Sequence, residues 1–194
     1  MKRHVRRARR FTGETSLHIA AKDLDLWEDG EITVVVRARL TADGRPRPAL
    51  LMSVSQLHPD ESGMPEARCG FSGIFFHREL GDLKETLDAF AEAAPILRAA
   101  TSRMFDESGD LSDDDLAERV WMSAGVLLLR GLSPTASSVD VTAFLRRTFS
   151  LLRWFTGLFL VDIGDLPHLD SQWLIDAGFR PLGDGLRFFY LTNT

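Results

Sequence analysis

Between Val126 and Ile163 the chain carries two apolar runs, Val126-Leu127-Leu128-Leu129 and Leu158-Phe159-Leu160-Val161, with one amphipathic stretch between them. Neither run alternates with polar residues, so both read as strands buried on their two faces. In the stretch between them Val141, Phe144, Leu145, Thr148, Phe149, Leu152 and Phe155 recur at steps of three and four, the spacing of one helix face. Strand, helix and strand in this order make a right-handed crossover. The pattern therefore predicts two parallel strands covered by a long helix.

The rest of the chain must fit around that unit. From Ser16 to Leu57 three strands are expected, broken at Glu28-Asp29-Gly30 and Asp43-Gly44, which makes an N-terminal β-meander. Cys69 to His77 reads as a further short strand. Leu83, Leu87, Phe90, Ala94 and Leu97 place a helix between Leu80 and Leu97, with Pro95 kinking it or ending it early. Ser112 is expected to cap a second helix whose first turn holds Asp113, Asp114 and Asp115, a helical role that makes a metal unnecessary. A short helix over about Leu169–Ala177 and a last strand over Leu186–Leu191 complete the reading. No Pro/Gly/Ser-rich linker separates these segments. The expectation is one α/β (α+β) domain over residues 13–194, with a mixed sheet of about six or seven strands and helices packed on it.

Charge divides the chain unevenly. Lys2, Arg3, Arg6, Arg7, Arg9 and Arg10 fall in the first ten positions, and without them 17 basic residues face 28 acidic ones. Residues 1–12 thus read as a basic flexible arm on an acidic body. Such an arm contacts nucleic acid through Arg3, Arg6, Arg7, Arg9 and Arg10, contacts an acidic partner, or is simply solvated. The excess of arginine over lysine elsewhere is spread along the chain, as a composition of bacterial type would spread it. After the arm, Thr12, Glu14, Thr15, Ser16 and His18 interrupt any apolar export core, and no run approaches the roughly 20 apolar residues of a membrane span. A cytoplasmic protein with no membrane contact is expected.

Several chemistries lack their residues. The five histidines show no zinc-ligand spacing, and neither a G-x-S-x-G elbow nor a P-loop is present. The single Cys69 reads as a small buried side chain.

One resemblance remains. Leu127-Leu128-Leu129-Arg130-Gly131-Leu132-Ser133-Pro134, the long helix, and then Asp176-Ala177-Gly178-Phe179-Arg180-Pro181 followed by Arg187-Phe188-Phe189-Tyr190-Leu191 resemble the C-terminal part of the GCN5-related N-acetyltransferase (GNAT) family. In that family a Gly-Phe pair follows a short helix and an aromatic strand closes the sheet. The resemblance covers about residues 123–194. It implies acetyl-CoA as cofactor, with Leu132, Ser133, Ser137 and Ser138 near it, no metal, and a small-molecule or protein amine as substrate.

The chain departs from the family in three ways. The motif positions of the cofactor loop fall on Ser137, Asp140 and Thr142, and none of them matches. Leu174 stands where the family's acidic tyrosine is common. The family begins with a strand and two helices, whereas this chain begins with a meander. Tyr190 and Asp162 are the candidates left for proton transfer. Each also has a structural reading: cross-strand packing for Tyr190, and a solvated strand end or helix cap for Asp162. Two functions follow, an acyl-CoA-dependent N-acyltransferase and a non-catalytic GNAT-like scaffold that binds protein or nucleic acid.

Overall fold

The computed structural model describes residues 14–20, 31–39, 44, 47–59, 65–133, 138–153, 155–166 and 169–192. The basic arm and Ser137 lie outside these residues. In chain order the elements are β1 (Glu14–Ala20), β2 (Glu31–Arg39), β3 (Ala49–Pro59), β4 (Pro65–His77), α1 (Leu83–Phe90), α2 (Pro95–Met104), α3 (Asp115–Trp121), β5 (Gly125–Leu132), α4 (Ser138–Leu152), β6 (Leu158–Asp162), a 3-10 turn (Ile163–Asp165), α5 (Ser171–Asp176), β7 (Arg180–Pro181) and β8 (Phe188–Thr192). Among the described residues the strands join one mixed sheet of order β1-β2-β3-β4-β5-β6-β8-β7. The count reaches eight because the turn after α5 contributes the two-residue β7, which carries no periodic signal in the sequence.

The crossover forms as its pattern requires. Val126 to Leu129 pair in parallel with Leu158 to Val161, and the other ladders are antiparallel. Because side chains alternate along each strand, the sheet supports two cores. On one face Val141, Phe144, Leu145, Phe149 and Leu152 of α4 meet Phe71, Phe75, Leu127, Leu129, Phe159 and Val161. On the other, α1, α2 and α3 bury Leu87, Ile96, Leu97, Met104, Leu116 and Val120 against Phe76, Val126, Leu128, Leu158 and Leu160.

Three local expectations change. Pro95 neither kinks nor simply ends a helix but opens a second one: it sits in the first turn of α2, where its missing N–H and fixed φ cost nothing. The cap of α3 is Asp114, whose carboxylate accepts the Leu116 N–H at 2.8 Å; Ser112 instead donates its hydroxyl to the Arg103 carbonyl. Asp114 also receives Arg103 in a two-pronged ion pair, so part of the acidic run is taken up by a cap and a cation. The long helix ends at Leu152, and Phe155 beyond it stacks on Phe75 with ring centroids 4.3 Å apart.

The Gly178-Phe179 pair has a local cause. Gly178 sits at φ 100°, and the N–H groups of Gly178 and Phe179 reach back to the carbonyls of Ile175 and Leu174. This is a Schellman stop, in which only the left-handed residue needs glycine and the next residue packs back onto the helix. Phe179 is buried and sits edge-on to Phe149, with centroids 4.9 Å apart.

Two predictions follow from packing and burial. Thr148 is fully buried in α4, and its hydroxyl has no hydrogen-bond partner among the described residues. Thr148→Val keeps the shape and removes the unpaired hydroxyl, so a urea titration is expected to show a gain of about 1 kcal/mol and a melt a rise of about 2–4 °C. His77 ends β4, and its Nδ1 accepts the Glu79 N–H at 3.2 Å, a bond available only to the neutral ring. Burial holds its pKa below the usual 6.5, with Arg78 adding to the effect and Glu79 opposing it. The unfolded chain therefore takes up the proton first. The His77 contribution is present above pH 6.5 and lost as pH falls through and below that value. His77→Asn, whose Oδ1 accepts the same bond without titrating, is expected to flatten that part of the stability–pH curve.

Candidate active site at the open end of the parallel pair

The parallel ladder stops at Leu129 and Val161, but β5 runs on to Leu132. Beyond Leu129 the described partners of β5 lie on the β4 side alone, where Gly131 and Leu132 face Ser72 and Phe71 and the Ser133 N–H reaches the Gly70 carbonyl. Among the described residues nothing pairs with the β6 side of residues 130–132, an open strand edge at the carboxyl end of the parallel pair, the place where ligands enter α/β sheets. A bulge marks its start. Gly73 pairs with Leu129 and Ser72 with Gly131, so Arg130 is the extra residue. A bulge bends its strand and re-aims the side chain it carries.

An open cavity of about 360 Å³ borders this end. Its wall is Val54 and Ser55 of β3, Cys69, Gly70, Phe71 and Ser72 of β4, and Gly131, Leu132 and Ser133. A Cβ on Gly131 would stand 2.8 Å from the Ser72 hydroxyl, so a side chain there would displace the wall.

Of the four cofactor residues implied by the resemblance, Leu132 and Ser133 line the cavity. Ser137 lies outside the described residues, and Ser138 opens α4, whose first turn follows β5 across the short connection. The proton-transfer candidates are placed differently. Tyr190 is buried in the core under α2 and α3, paired in register with Leu160, and the Arg103 guanidinium lies over its ring at 5.8 Å. Asp162 is 1% exposed. Its Oδ1 accepts the Gly164 N–H and the Arg187 Nε–H, both at 2.9 Å, and its Oδ2 accepts Arg187 Nη2 at 3.1 Å. The cap reading of Asp162 thus describes its contacts, with burial in place of solvation. Those hydrogen bonds hold the Arg187 pKa above its ordinary value.

From the sequence Asp165 stands with Asp162 as a carboxylate at the end of β6, whereas nothing there joins Arg130 or Arg187 to it. Arg130 Nη1 lies 2.6 Å from Asp165 Oδ2, across the open end, and 3.5 Å from the Ala93 carbonyl between α1 and α2. One signal was present: a charge followed by glycine, Arg130-Gly131, inside an otherwise apolar strand marks a bulge or a close approach. Among the described residues no group of three or more His, Cys, Asp or Glu is arranged to hold a metal, and no helix is long and apolar enough to cross a membrane.

With this geometry described, comparison with known proteins adds no relative: no family model, curated protein or solved structure matches the chain.

The Asp162 contacts make a prediction that separates support from chemistry. Asp162→Ala removes the acceptor for the Gly164 N–H and the buried partner of Arg187, and is expected to cost about 1–3 kcal/mol in a chemical denaturation. An unchanged midpoint would show that these contacts do not hold the turn.

Proposed function

We propose that the chain is an acyl-CoA-dependent N-acyltransferase built on a divergent GNAT-like scaffold, with the cofactor at the open end of β5. One observation carries this reading: Arg130–Leu132 have no partner on the β6 side among the described residues, and Leu132 and Ser133 also line a cavity on the β3–β4 side, with a parallel strand alongside and a helix following. The pantetheine arm of coenzyme A is a narrow extended chain with two amides. An open strand edge offers N–H and C=O groups at the matching spacing, as in strand addition by a peptide. The start of α4 adds free amides towards the phosphate end.

Acyl-CoA would supply an activated thioester: the amine nitrogen bonds to the acyl carbon, the C–S bond breaks, and the thiol leaves with a proton. The chain's part is to hold the arm along β5 and the amine beside it. A cytoplasmic location is part of this proposal, since such a reaction needs a supply of acyl-CoA. The second reading, a binding module on the same scaffold, draws on Asp162 and Tyr190, whose side chains are engaged in an ion pair and in core packing.

Calorimetric titration with acetyl-CoA tests the proposal. Binding with a Kd at or below about 1 mM and a rise in Tm that grows with ligand are expected, because a ligand of the native state stabilises it by mass action. Gly131→Val is expected to weaken binding by about tenfold or more while the melting temperature without ligand changes little. No heat and no thermal shift at millimolar acetyl-CoA would overturn the cofactor reading.

A further inference from the structure

Two ion pairs of different character stand where β5 and β6 end and β8 begins. Arg187, itself 58% exposed, is tied to Asp162, which is 1% exposed and also bound by the Gly164 N–H, so the carboxylate end of this pair is fixed. Arg130 is tied to Asp165, and both side chains are about one-third exposed, at 36% and 31%. That second pair sits in solvent reach and holds by one short contact, so a competing ligand can exchange with it at small cost. Asp162 caps the 3-10 turn and Asp165 is its last residue, and the Asp165 charge acts on Arg187 as well. The backbone keeps the groups together, since the Ile163 N–H binds the Arg187 carbonyl at 3.0 Å.

The hydrogen-bonding capacity left over is specific. Among the described residues Arg130 uses only Nη1 and Arg187 only Nε and Nη2. Among those residues Arg130 Nε and Nη2 and Arg187 Nη1 are left as donors, and Asp165, which uses only Oδ2 there, has Oδ1 left as an acceptor. Spare guanidinium edges suit a carboxylate, and a spare carboxylate oxygen beside them suits an ammonium. A plain amine would take Asp165 and strip Arg130 of its partner. A plain acid would do the reverse. A zwitterion exchanges with the pair and leaves neither charge alone.

We propose that this Arg130–Asp165–Arg187 cluster is the acceptor site and that it takes a free α-amino acid, carboxylate towards the two guanidinium groups and amine towards Asp165. The inference rests on the acyltransferase reading only for the word acceptor; the binding itself stands on the cluster.

The test is calorimetry of the full chain with the proteinogenic L-α-amino acids, each matched with its decarboxylated amine and its deaminated acid, in the presence and absence of coenzyme A. At least one amino acid is expected to bind, with both analogues weaker by about tenfold or more. Asp165→Asn, nearly isosteric at a partly exposed position, is expected to weaken that amino acid by about tenfold, with an unchanged melt and an unchanged acetyl-CoA titration. A chain that binds acetyl-CoA but takes no amino acid at about 10 mM, or takes amino acid and amine equally, overturns the inference and leaves the cofactor reading in place. A chain that binds an amino acid selectively but not acetyl-CoA supports the site and removes the acyltransferase. Binding of neither ligand overturns both.

Discussion

The structure turns on the ring of Phe149. From the last turn of α4 it meets Phe159 of β6 at 4.4 Å, Phe179 after α5 at 4.9 Å and Phe71 of β4 at 6.3 Å. These contacts tie the helix to strands on both sides of β5 and to the turn that leads to the last two strands. Buried aromatic pairs in tilted and edge-on arrangements add to the free energy of burying their area, and their geometry resists sliding. A helix that cannot slide fixes where its first turn lies relative to the end of β5. Everything described at the open end depends on that placement.

The opposite face shows how one strand pair serves two layers. Leu127 and Leu129 face α4, while Val126 and Leu128 face α1, α2 and α3. Buried on both sides, β5 has no exposed surface until Arg130, where the bulge breaks the alternation and the first charge of the strand emerges. The three helices between β4 and β5 therefore do more than cover the sheet. Their α1–α2 turn brings the Ala93 carbonyl to Arg130, so the helical layer forms one wall of the charged mouth.

The crossover was legible in the sequence because its signal is local and strong: two apolar runs and one helical stripe leave few other arrangements. The meander was legible for the same reason, through alternation and turn residues. The split at Pro95 was half legible, since proline in a helical pattern breaks it but also starts the next helix without strain. Asp114 was misassigned in favour of Ser112 because both residues cap well and only the entry angle of the chain separates them. The Gly-Phe pair that carries the family resemblance proves to have a sufficient cause in helix termination, which any short helix packed on a core can share.

What the sequence by itself determined is most of the strands and helices, though neither the separate α2 nor β7, and that β5 and β6 run side by side, because burial periodicity and crossover handedness are properties of neighbouring residues. What only the tertiary structure decided is which side chains meet. Tyr190 is drawn under α2 and α3 by the parity of β8. Asp162 is claimed by Arg187, 25 residues away in sequence. Arg130 is turned towards Asp165, 35 residues away, by a one-residue slip against β4. A bulge and a long-range ion pair leave almost no trace in local pattern, since their free energy arises only when distant segments are already packed.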